Sequence, residues 1–581
     1  MNRSRGSSVV QTAGSVVLLF VSLTAPVAAD EEVGRGWGIA SSHPLATEAG
    51  REVLEAGGNA FDAAVAVSAA LGVVEPYGSG LGGGGFWLLH EADGDRDVMI
   101  DGRERAPLAA TRTMYQDKDG EAIERASIDG PLAAGIPGLP AALEHIAQGY
   151  GDLPLRRSLE PAIRLARDGY EIGEPYRTMA RFRRDVLRRS SAAVDTFLDD
   201  GEVPSAGYRL RQPELAATLE RIARHGRAGF YDGPVARRLV DGVREAGGIW
   251  SRRDLREYRV HERAPITGDY RGMELVSAAP PSSGGVALVE ALNILAPYDP
   301  GAADPAERVH LVVEAMRRAY HDRARHLGDT DYVDVPIERL TDPDYAAGRR
   351  ASIRSDRATP STQLPGVGTD EAGRDTTHFS VIGPDGNRVA ATLSINWPFG
   401  SGFMPPGTGV VLNDEMDDFA TRPGEPNAYG LVQGEANAIE PGKRMLSSMS
   451  PTFLEQDDRI AVLGTPGGSR IISMVLLAAL EFQQGAGPER MAERPRFHHQ
   501  YLPDVIELEP DALDDATRSA LRERGHVVET SEDTWGDMQV VIGRDGRVRG
   551  ASDPRGIGAV ERGIVLEGSE GSRILKSTRS E

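Results

Sequence analysis

The stretch Asp375-Thr376-Thr377-His378-Phe379-Ser380 joins a linker to a predicted β-strand. Residues 358–374, directly before it, contain Pro, Ser, Thr, Gly and Asp but few side chains that could pack, which indicates an exposed linker. Residues 378–382 and 388–395 read as two strands joined by a turn at residues 383–387, which predicts a β-hairpin. Two threonine hydroxyls therefore lie where a flexible segment enters a strand.

A threonine hydroxyl is a weak nucleophile unless a base lies beside it. Cleavage of the chain before Thr376 would free an α-amine, whose pKa of about 7.7–8.0 allows it to act as that base at neutral pH. Taken alone, two threonines in front of a strand are most often structural. The hypothesis therefore depends on the motifs elsewhere in the chain.

Helical and strand patterns alternate through the rest of the sequence. Residues 44–74 are rich in Ala, Leu and Val at helical spacing, broken by Gly57-Gly58, and predict two helices. Residues 139–327 read as a helical middle interrupted by a stiff loop at 280–285. Beyond the linker we predict strands at 460–463, 505–508 and 538–542, and helices at 470–483 and 512–524. These patterns predict an α/β or α+β fold in layers.

Composition excludes several classes of function. The 581 residues give a prior of about four domains by length alone. The 65 Lys and Arg residues against 87 Asp and Glu residues leave a net charge of −22, which disfavours general binding to nucleic acids or anionic membranes. The absence of cysteine excludes disulfides, thiolate nucleophiles, Cys-ligated zinc and iron–sulfur clusters.

The N-terminus has the pattern of a secretory signal peptide. Arg3 and Arg5 form a basic start, residues 16–23 form a short apolar core, and Val27-Ala28-Ala29 supplies small residues before a cleavage site. The apolar core is shorter than the roughly 20 residues that span a bilayer, which disfavours an anchor. We predict cleavage after Ala29 and an exported protein, secreted or periplasmic.

Three motifs carry little weight. Gly78-Ser79-Gly80-Leu81-Gly82-Gly83 matches G-x-G-x-x-G, but it follows a predicted helix and opens a strand, the reverse of a dinucleotide site. His498-His499 has no acidic partner at ligand spacing, so we interpret it as structural. No G-x-S-x-G nucleophile elbow occurs, which argues against an α/β-hydrolase.

The motifs around Thr376 together resemble one family. Downstream they are Ser394-Ile395-Asn396, Asn413-Asp414-Glu415-Met416-Asp417-Asp418-Phe419, Lys443-Arg444-Met445-Leu446-Ser447-Ser448 and Gly464-Thr465-Pro466-Gly467-Gly468-Ser469-Arg470. Upstream they are Gly57-Gly58-Asn59-Ala60-Phe61-Asp62, Leu81-Gly82-Gly83-Gly84-Gly85-Phe86, Asp101-Gly102-Arg103-Glu104 and Pro281-Ser282-Ser283-Gly284-Gly285. Near the C-terminus, Pro495-Arg496-Phe497-His498-His499-Gln500 and Gly550-Ala551-Ser552-Asp553-Pro554-Arg555 extend the match. In this order and spacing the chain resembles the γ-glutamyltranspeptidase family of N-terminal-nucleophile hydrolases.

The resemblance implies a four-layer αββα sandwich, one intertwined unit rather than four domains. It also implies an inactive precursor that cuts itself between Asp375 and Thr376, giving a large subunit of residues 30–375 and a small subunit of residues 376–581. Thr376 matches the family nucleophile. Ser394 stands where the family usually has a threonine that hydrogen-bonds the nucleophile. The backbone N–H groups of Gly467 and Gly468 match the oxyanion hole, where glycine leaves the backbone open to the tetrahedral intermediate.

Substrate recognition is also implied by the resemblance. A γ-glutamyl group is a zwitterion, so its α-carboxylate requires donors and its α-ammonium requires acceptors. The matching donors are Arg103, Ser447 and Ser448, and the matching acceptors are Asn396, Glu415 and Asp418. Residues 422–434 resemble a lid loop found in some relatives, with Tyr429 placed to cover the bound group.

We therefore expect an exported γ-glutamyl hydrolase and transferase that acts on glutathione and related amides. Water or the amine of an amino acid or peptide would resolve the γ-glutamyl-enzyme on Thr376. We expect no metal and no organic cofactor, since the nucleophile and its base would belong to one residue, and the net charge of −22 argues against a nucleic-acid partner. Two alternatives stay open: an acylase of the same family acting on glutaryl-type side chains of cephalosporins, and a non-catalytic exported protein that binds amino acids or peptides.

Overall fold

The computed structural model describes residues 35–299, 304–364, 376–425, 427, 431–566 and 573–576. Its strands are β1 (Arg35–Ser41), β2 (Gly84–Glu91), β3 (Arg96–Asp101), β4 (Tyr170–Glu171), β5 (Arg209–Leu210), β6 (His261–Arg263), β7 (Ile266–Tyr270), β8 (Met273–Ser277), β9 (Thr377–Ile382), β10 (Arg388–Ser394), β11 (Thr452–Gln456), β12 (Arg459–Gly464), β13 (Phe497–His498), β14 (Ile506–Leu508), β15 (Val528–Thr530), β16 (Gln539–Arg544), β17 (Arg547–Ser552), β18 (Ala559–Leu566) and β19 (Arg573–Lys576).

The helices lie mostly before residue 376. They are α1 (Pro44–Glu55), α2 (Ala60–Val74), α3 (Leu139–Gly149), α4 (Leu155–Asp168), α5 (Glu174–Leu187), α6 (Ser191–Phe197), α7 (Pro213–His225), α8 (Ala228–Tyr231), α9 (Gly233–Glu245), α10 (Arg252–Glu257), α11 (Gly284–Leu295), α12 (Pro305–His326), α13 (Ile337–Leu340), α14 (Pro343–Arg350), α15 (Arg470–Gln483), α16 (Pro488–Glu493) and α17 (Asp515–Glu523). None of the described helices combines the length and the apolar character that crossing a membrane requires.

Two packed sheets form the centre of the molecule. The first has the strand order β19-β18-β1-β9-β10-β2-β3-β6 and the second the order β17-β16-β12-β11-β8-β7. Strands β9 and β12, and β1 and β17, contact each other across the sheets. Helices α1, α2 and α3 cover the first sheet, and α11, α15 and α16 cover the second. The arrangement is the expected αββα sandwich.

Burial on both faces of the central strands explains their sequence. On β10, Val389, Ala391 and Leu393 pack among the helices of the first layer, while Ala390 packs between the sheets. Side chains alternate across a strand, so a strand covered on both faces is apolar along its whole length. The hairpin predicted from this run is confirmed, with β9 and β10 antiparallel.

Local sequence signals also place the helices that support the first sheet. The predicted break at Gly57-Gly58 separates α1 from α2. Asn59 caps α2, and the Asp62 carboxylate accepts the backbone N–H of Asn59 in a capping box. Asp62 also accepts the Asp152 N–H at 2.8 Å, which ties α2 to the segment before α4.

The middle of the chain is less helical than its composition indicates. Within residues 139–327, strands β6, β7 and β8 occupy residues 261–277, and β8 pairs with β11 in the second sheet. The Arg and Glu residues of this region favour helix in isolation, but pairing with β7 and with β11 provides the backbone partners of residues 273–277.

Segments before and after residue 376 interleave in both sheets. Strands β9 and β10 lie between β1 and β2, while β11 pairs with β8 and with β12. The described part of the chain is therefore one unit, and the prior of about four domains from length is wrong.

Candidate active site

Thr376 directly precedes β9 and lines two separate cavities. The first, which we call the Arg103 cavity, is narrow, at about 20 Å³. The second, the Trp535 cavity, measures about 240 Å³. The Arg103 cavity brings together nine of the residues expected from the sequence: Thr376, Ser394, Gly468, Arg103, Asn396, Glu415, Asp418, Ser447 and Ser448. Gly467 lines the Trp535 cavity.

Hydrogen bonds around Thr377 hold the start of β9. The Thr377 hydroxyl donates to Glu75 Oε2 at 2.8 Å and accepts from the Ser42 hydroxyl at 2.5 Å. Ser42 directly follows β1, and Glu75 directly follows α2. Sequence reasoning missed Ser42 and Glu75, because the chain separates them from Thr377 by about 300 residues.

Ser394 ends β10 beside this strand. Its Oγ accepts the Asn396 N–H at 2.8 Å, and Asn396 adopts a left-handed backbone with φ of 74°. Asparagine tolerates this conformation better than most residues. The Asn396 side-chain amide donates to the Asp414 carbonyl at 3.1 Å. The turn therefore directs both Ser394 and Asn396 toward the Arg103 cavity.

Gly467 and Gly468 lie between β12 and the N-terminus of α15. Their φ values of 137° and 58° fall where side chains are disfavoured. Their carbonyls accept from the first residues of α15, Arg470 and Ile471. Within the described part of the chain, neither glycine N–H has a hydrogen-bond acceptor. Two N–H groups near a helix N-terminus can stabilise an oxyanion.

Arg103 is a buried guanidinium surrounded by carboxylates. Nη1 lies 2.5 Å from Glu415 Oε2 and 3.4 Å from Glu104 Oε2, and Nη2 lies 2.5 Å from Asp418 Oδ2. Both Arg103 and Glu415 are 1% exposed. Burial raises the pKa of the Glu415 carboxyl above its ordinary value, while Arg103 opposes the shift. The sequence predicted these residues as a site but not their pairing with each other.

This pairing suits a zwitterionic ligand. A ligand carboxylate can replace Glu415 or Asp418 on Arg103, while the ligand ammonium takes the released carboxylates. Every buried charge then keeps a partner of opposite sign after the ligand binds. This matters because burying a charge without such a partner costs several kcal/mol of free energy. A ligand that has a carboxylate but no ammonium group would displace Glu415 or Asp418 from Arg103 and offer that side chain no new cationic partner.

Arg323 of α12 is a second guanidinium in the Arg103 cavity, and the sequence gave no sign of it. Its Nε donates to the Ser283 hydroxyl at 2.9 Å and its Nη2 to the Ser448 hydroxyl at 3.2 Å. Nη1 is buried without a hydrogen-bond partner among the described residues. Burial lowers the pKa of Arg323 to about 10, while Asp418 is one of the groups that oppose the shift. Because α12 contains several arginines and no motif surrounds this one, the sequence does not distinguish Arg323 from its neighbours.

Ser447 and Ser448 are fixed by the loop that precedes α11. The Ser447 carbonyl accepts from the N–H and the hydroxyl of Ser283 at 2.8 and 2.7 Å, and Ser447 N–H donates to the Pro281 carbonyl. The Pro281-Ser282-Ser283 motif therefore supports the two serines. Asp375 and Tyr429 lie outside the described residues.

Two histidine groups away from this site are structural. His498 bonds to Ser473 and Gln500, and His499 bonds to Asp504.

The second group is buried, and it includes residues of the types that bind metals. Nitrogen or oxygen atoms of His310, Glu314 and His526 lie within 4.8 Å of one another. His310 and His526 bond to each other at 2.7 Å, and Arg318 pairs with Glu314 at 2.6 Å. These contacts already use the atoms that would bind a metal ion. The positive charge of the Arg318 guanidinium also disfavours the binding of a cation there.

The fold and the site together define the class. Two packed sheets between helical layers, with a threonine directly before a central strand, are the architecture of an N-terminal-nucleophile hydrolase.

Comparison with known proteins identifies the family. The family model described as gamma-glutamyltranspeptidase matches residues 46–563. A glutathione hydrolase proenzyme of Pseudomonas sp. (strain A14) is 42% identical over 95% of this chain and 98% of its own. That of Escherichia coli (strain K12) is 40% identical over 89% and 90%. A crystal structure of a cephalosporin acylase from Bacillus halodurans superposes with a TM-score of 0.79 at 28% identity, covering 94% and 99%. The chain belongs to the γ-glutamyltranspeptidase family.

The protonation of Glu415 generates a pH prediction. A carboxyl with a raised pKa becomes neutral as the pH falls and then no longer attracts an ammonium group. We expect the affinity for L-glutamate, measured by calorimetry, to decrease as the pH falls from 8 toward 5. Glu415→Gln should bind more weakly at pH 8 and show a flatter profile. A variant with the wild-type pH dependence would contradict this role.

Arg323 generates a second prediction. Arg323→Lys keeps the positive charge but loses the planar guanidinium that donates hydrogen bonds to both Ser283 and Ser448. We expect the affinity for L-glutamate at pH 8 to fall about tenfold, since a hydrogen bond to a charged group contributes about 1.5–3 kcal/mol. Arg325→Lys, an exposed position on the same helix, is the matched control. Equal affinities of the two variants for L-glutamate would show that Arg323 does not contribute to ligand binding.

Proposed function

We propose that the chain is exported as a precursor, cuts itself before Thr376 and then transfers γ-glutamyl groups from glutathione and related amides to water or to amines. The single observation that carries this proposal is the Arg103 cavity. It combines a candidate nucleophile, a charge set complementary to a zwitterion and a glycine N–H beside a helix N-terminus. The family relation supports the same activity.

Maturation begins with attack of the Thr376 hydroxyl on the carbonyl carbon of Asp375. The peptide C–N bond breaks, an ester to Thr376 Oγ forms, and the Thr376 nitrogen leaves as an amine. Water then hydrolyses the ester to give the Asp375 carboxylate and a free Thr376 hydroxyl. The products are a large subunit of residues 30–375, after removal of residues 1–29, and a small subunit of residues 376–581.

In each catalytic cycle the Thr376 α-amine takes the proton of the Thr376 hydroxyl as Oγ attacks the γ-carbonyl carbon. The N–H groups of Gly467 and Gly468 hold the oxyanion, and each such donor is worth about 3 kcal/mol of barrier. The amine leaves with the proton, and a γ-glutamyl ester remains on Thr376. Water releases glutamate, or an acceptor amine forms a new γ-glutamyl amide.

Each recognition residue has a proposed task. Arg103, Ser447 and Ser448 bind the α-carboxylate, with Arg323 holding the Ser448 hydroxyl. Asn396, Glu415 and Asp418 bind the α-ammonium, and Ser394 orients the nucleophile. Tyr429 would cover the bound group from the lid segment. The protein would work outside the cytoplasm, with small γ-glutamyl compounds and amine acceptors as its partners.

The test of processing is electrophoresis under denaturing conditions. Thr376→Ala should remain one chain, because no hydroxyl is present to attack Asp375, and wild type should give two bands with Thr at the N-terminus of the smaller one. Thr362→Ala, an exposed threonine upstream, should give two bands like wild type. Cleavage of Thr376→Ala before residue 376 would refute the mechanism, and an uncut wild-type chain would favour a binding protein.

Asp418→Asn separates the proposed substrate from the glutaryl alternative. A glutaryl group lacks the α-ammonium, so the loss of a carboxylate should lower kcat/KM for a γ-glutamyl anilide about 10- to 100-fold and affect a glutaryl anilide much less. Asp119→Asn, an exposed position, is the matched control. Equal losses on both substrates, or faster turnover of the glutaryl anilide by wild type, would favour the acylase.

A further inference from the structure

Thr376 is the one lining residue that the Trp535 cavity shares with the Arg103 cavity, which holds the glutamyl-binding residues of the proposed function. Thr376 lines both cavities, whereas Gly468 lines only the Arg103 cavity and Gly467 only the Trp535 cavity. A tetrahedral centre on Thr376 with its oxyanion on these glycines has two further substituents, the acyl chain and the amine. If the acyl chain occupies the Arg103 cavity, the Trp535 cavity offers space for the amine beside Thr376 and Gly467.

Two carboxyl groups line the Trp535 cavity without a cationic partner. Glu75 is buried, and Asp537 is partly buried. Considering only the part of the chain that the structure describes, neither has a Lys or Arg nitrogen within 4.0 Å. Their hydrogen bonds come from neutral groups: Thr377 on Glu75, and the Gln539 amide on Asp537 at 2.8 Å. Burial raises the pKa of Glu75 to about 7, and burial followed by the charge of Glu75 raises that of Asp537.

The arginines of this cavity are already neutralised. Arg470 pairs with Glu507 at 2.7 Å and stacks on the Trp535 ring at 4.9 Å. Arg555 pairs with Glu509 at 2.7 Å and with Asp553 at 3.0 Å. The ionisable groups left without a charged partner in the cavity are therefore carboxyl groups, the opposite of what an acidic ligand would require.

The size and the apolar lining limit the ligand to a small molecule. At about 240 Å³ the cavity lies just below the usual range for small-molecule sites, which begins at about 300 Å³. Trp535, Tyr77 and Met179 supply apolar surface beside the two carboxyl groups. An amino acid or a dipeptide, with an ammonium group and a modest side chain, matches both the size and the chemistry.

We propose that the Trp535 cavity binds the acceptor amine of the transfer reaction, and that Glu75 and Asp537 hold it as an ammonium ion and disfavour acceptors with additional carboxylates. The inference rests on the proposed function. Before attack the bound ammonium gives one proton to a carboxylate of the pair. Its nitrogen then bonds to the γ-carbonyl carbon, the ester bond to Thr376 Oγ breaks, and the second proton passes through the α-amine to that oxygen.

The inference is tested by how the γ-glutamyl-enzyme divides between transfer to an acceptor amine and hydrolysis by water. With a γ-glutamyl p-nitroanilide donor, the transfer and hydrolysis products are quantified by chromatography at a fixed acceptor concentration. Both products form from the same γ-glutamyl-enzyme, so the ratio of transfer to hydrolysis does not depend on how fast the enzyme is acylated. For wild type we expect glycinamide and glycylglycine to give ratios at least fivefold higher than aspartylglycine. Asp537→Asn should lower the ratio for glycinamide about tenfold, since it removes a charged hydrogen-bond acceptor.

Asp458→Asn is the control for this experiment. Asp458 lies in the turn before β12, at the end of that strand remote from Gly467, and it pairs with exposed Arg544. Its ratios should equal those of wild type. The wild-type acceptor series needs no variant, so it still decides the question if Asp537→Asn fails to fold.

Two outcomes would overturn the inference. These are equal ratios for aspartylglycine and glycinamide in wild type, and a glycinamide ratio in folded Asp537→Asn equal to that of wild type. Release of nitroaniline with either outcome would leave the proposed function intact. Absence of nitroaniline release would refute the proposed function itself.

Discussion

The position of Thr376 depends on the hydrogen bonds of the residue that follows it. Thr377 bonds to Ser42 after β1 and to Glu75 after α2, so the first residue of β9 is tied to its neighbouring strand and to the helix beneath the sheet. Every other part of the candidate site is arranged around this point. The end of β10 presents Ser394, the loop before α15 presents Gly467 and Gly468, and α12 presents Arg323.

Electrostatic balance distinguishes the two cavities at Thr376. In the Arg103 cavity, buried carboxylates and a guanidinium pair directly, and the Ser448 hydroxyl there accepts from a second guanidinium, that of Arg323. In the Trp535 cavity the carboxyl groups have only neutral hydrogen-bond partners, while the arginines are paired elsewhere. Thr376, the proposed nucleophile, therefore lines one cavity with paired charges and another whose carboxyl groups have no Lys or Arg partner among the described residues.

Local patterns in the sequence predicted the hairpin of β9 and β10 and the helices α1, α2 and α15 well, because turn residues between strand runs, glycine breaks and apolar helical spacing act over short distances. The helical middle was partly wrong, since residues 266–277 form the hairpin of β7 and β8, and β11 pairs with β8 on its other side. Arg103, Glu415 and Asp418 were found through the family resemblance and not through spacing. Arg323, Ser42 and Glu75 were missed, because only the folded chain brings them to Thr376.

The interleaved sheets have a consequence for how such a protein can be assembled. Strands β9 and β10 are flanked by β1 and β2, and β11 lies against β8, so neither the segment before residue 376 nor the segment after it contains a complete sheet. A cut before Thr376 would leave two chains that share one core and have no separate native state. Folding must then precede cleavage, and the uncut precursor holds the covalent connection that makes assembly a reaction within one molecule. After the cut, recovery from full denaturation would depend on protein concentration, whereas folding of the precursor would not.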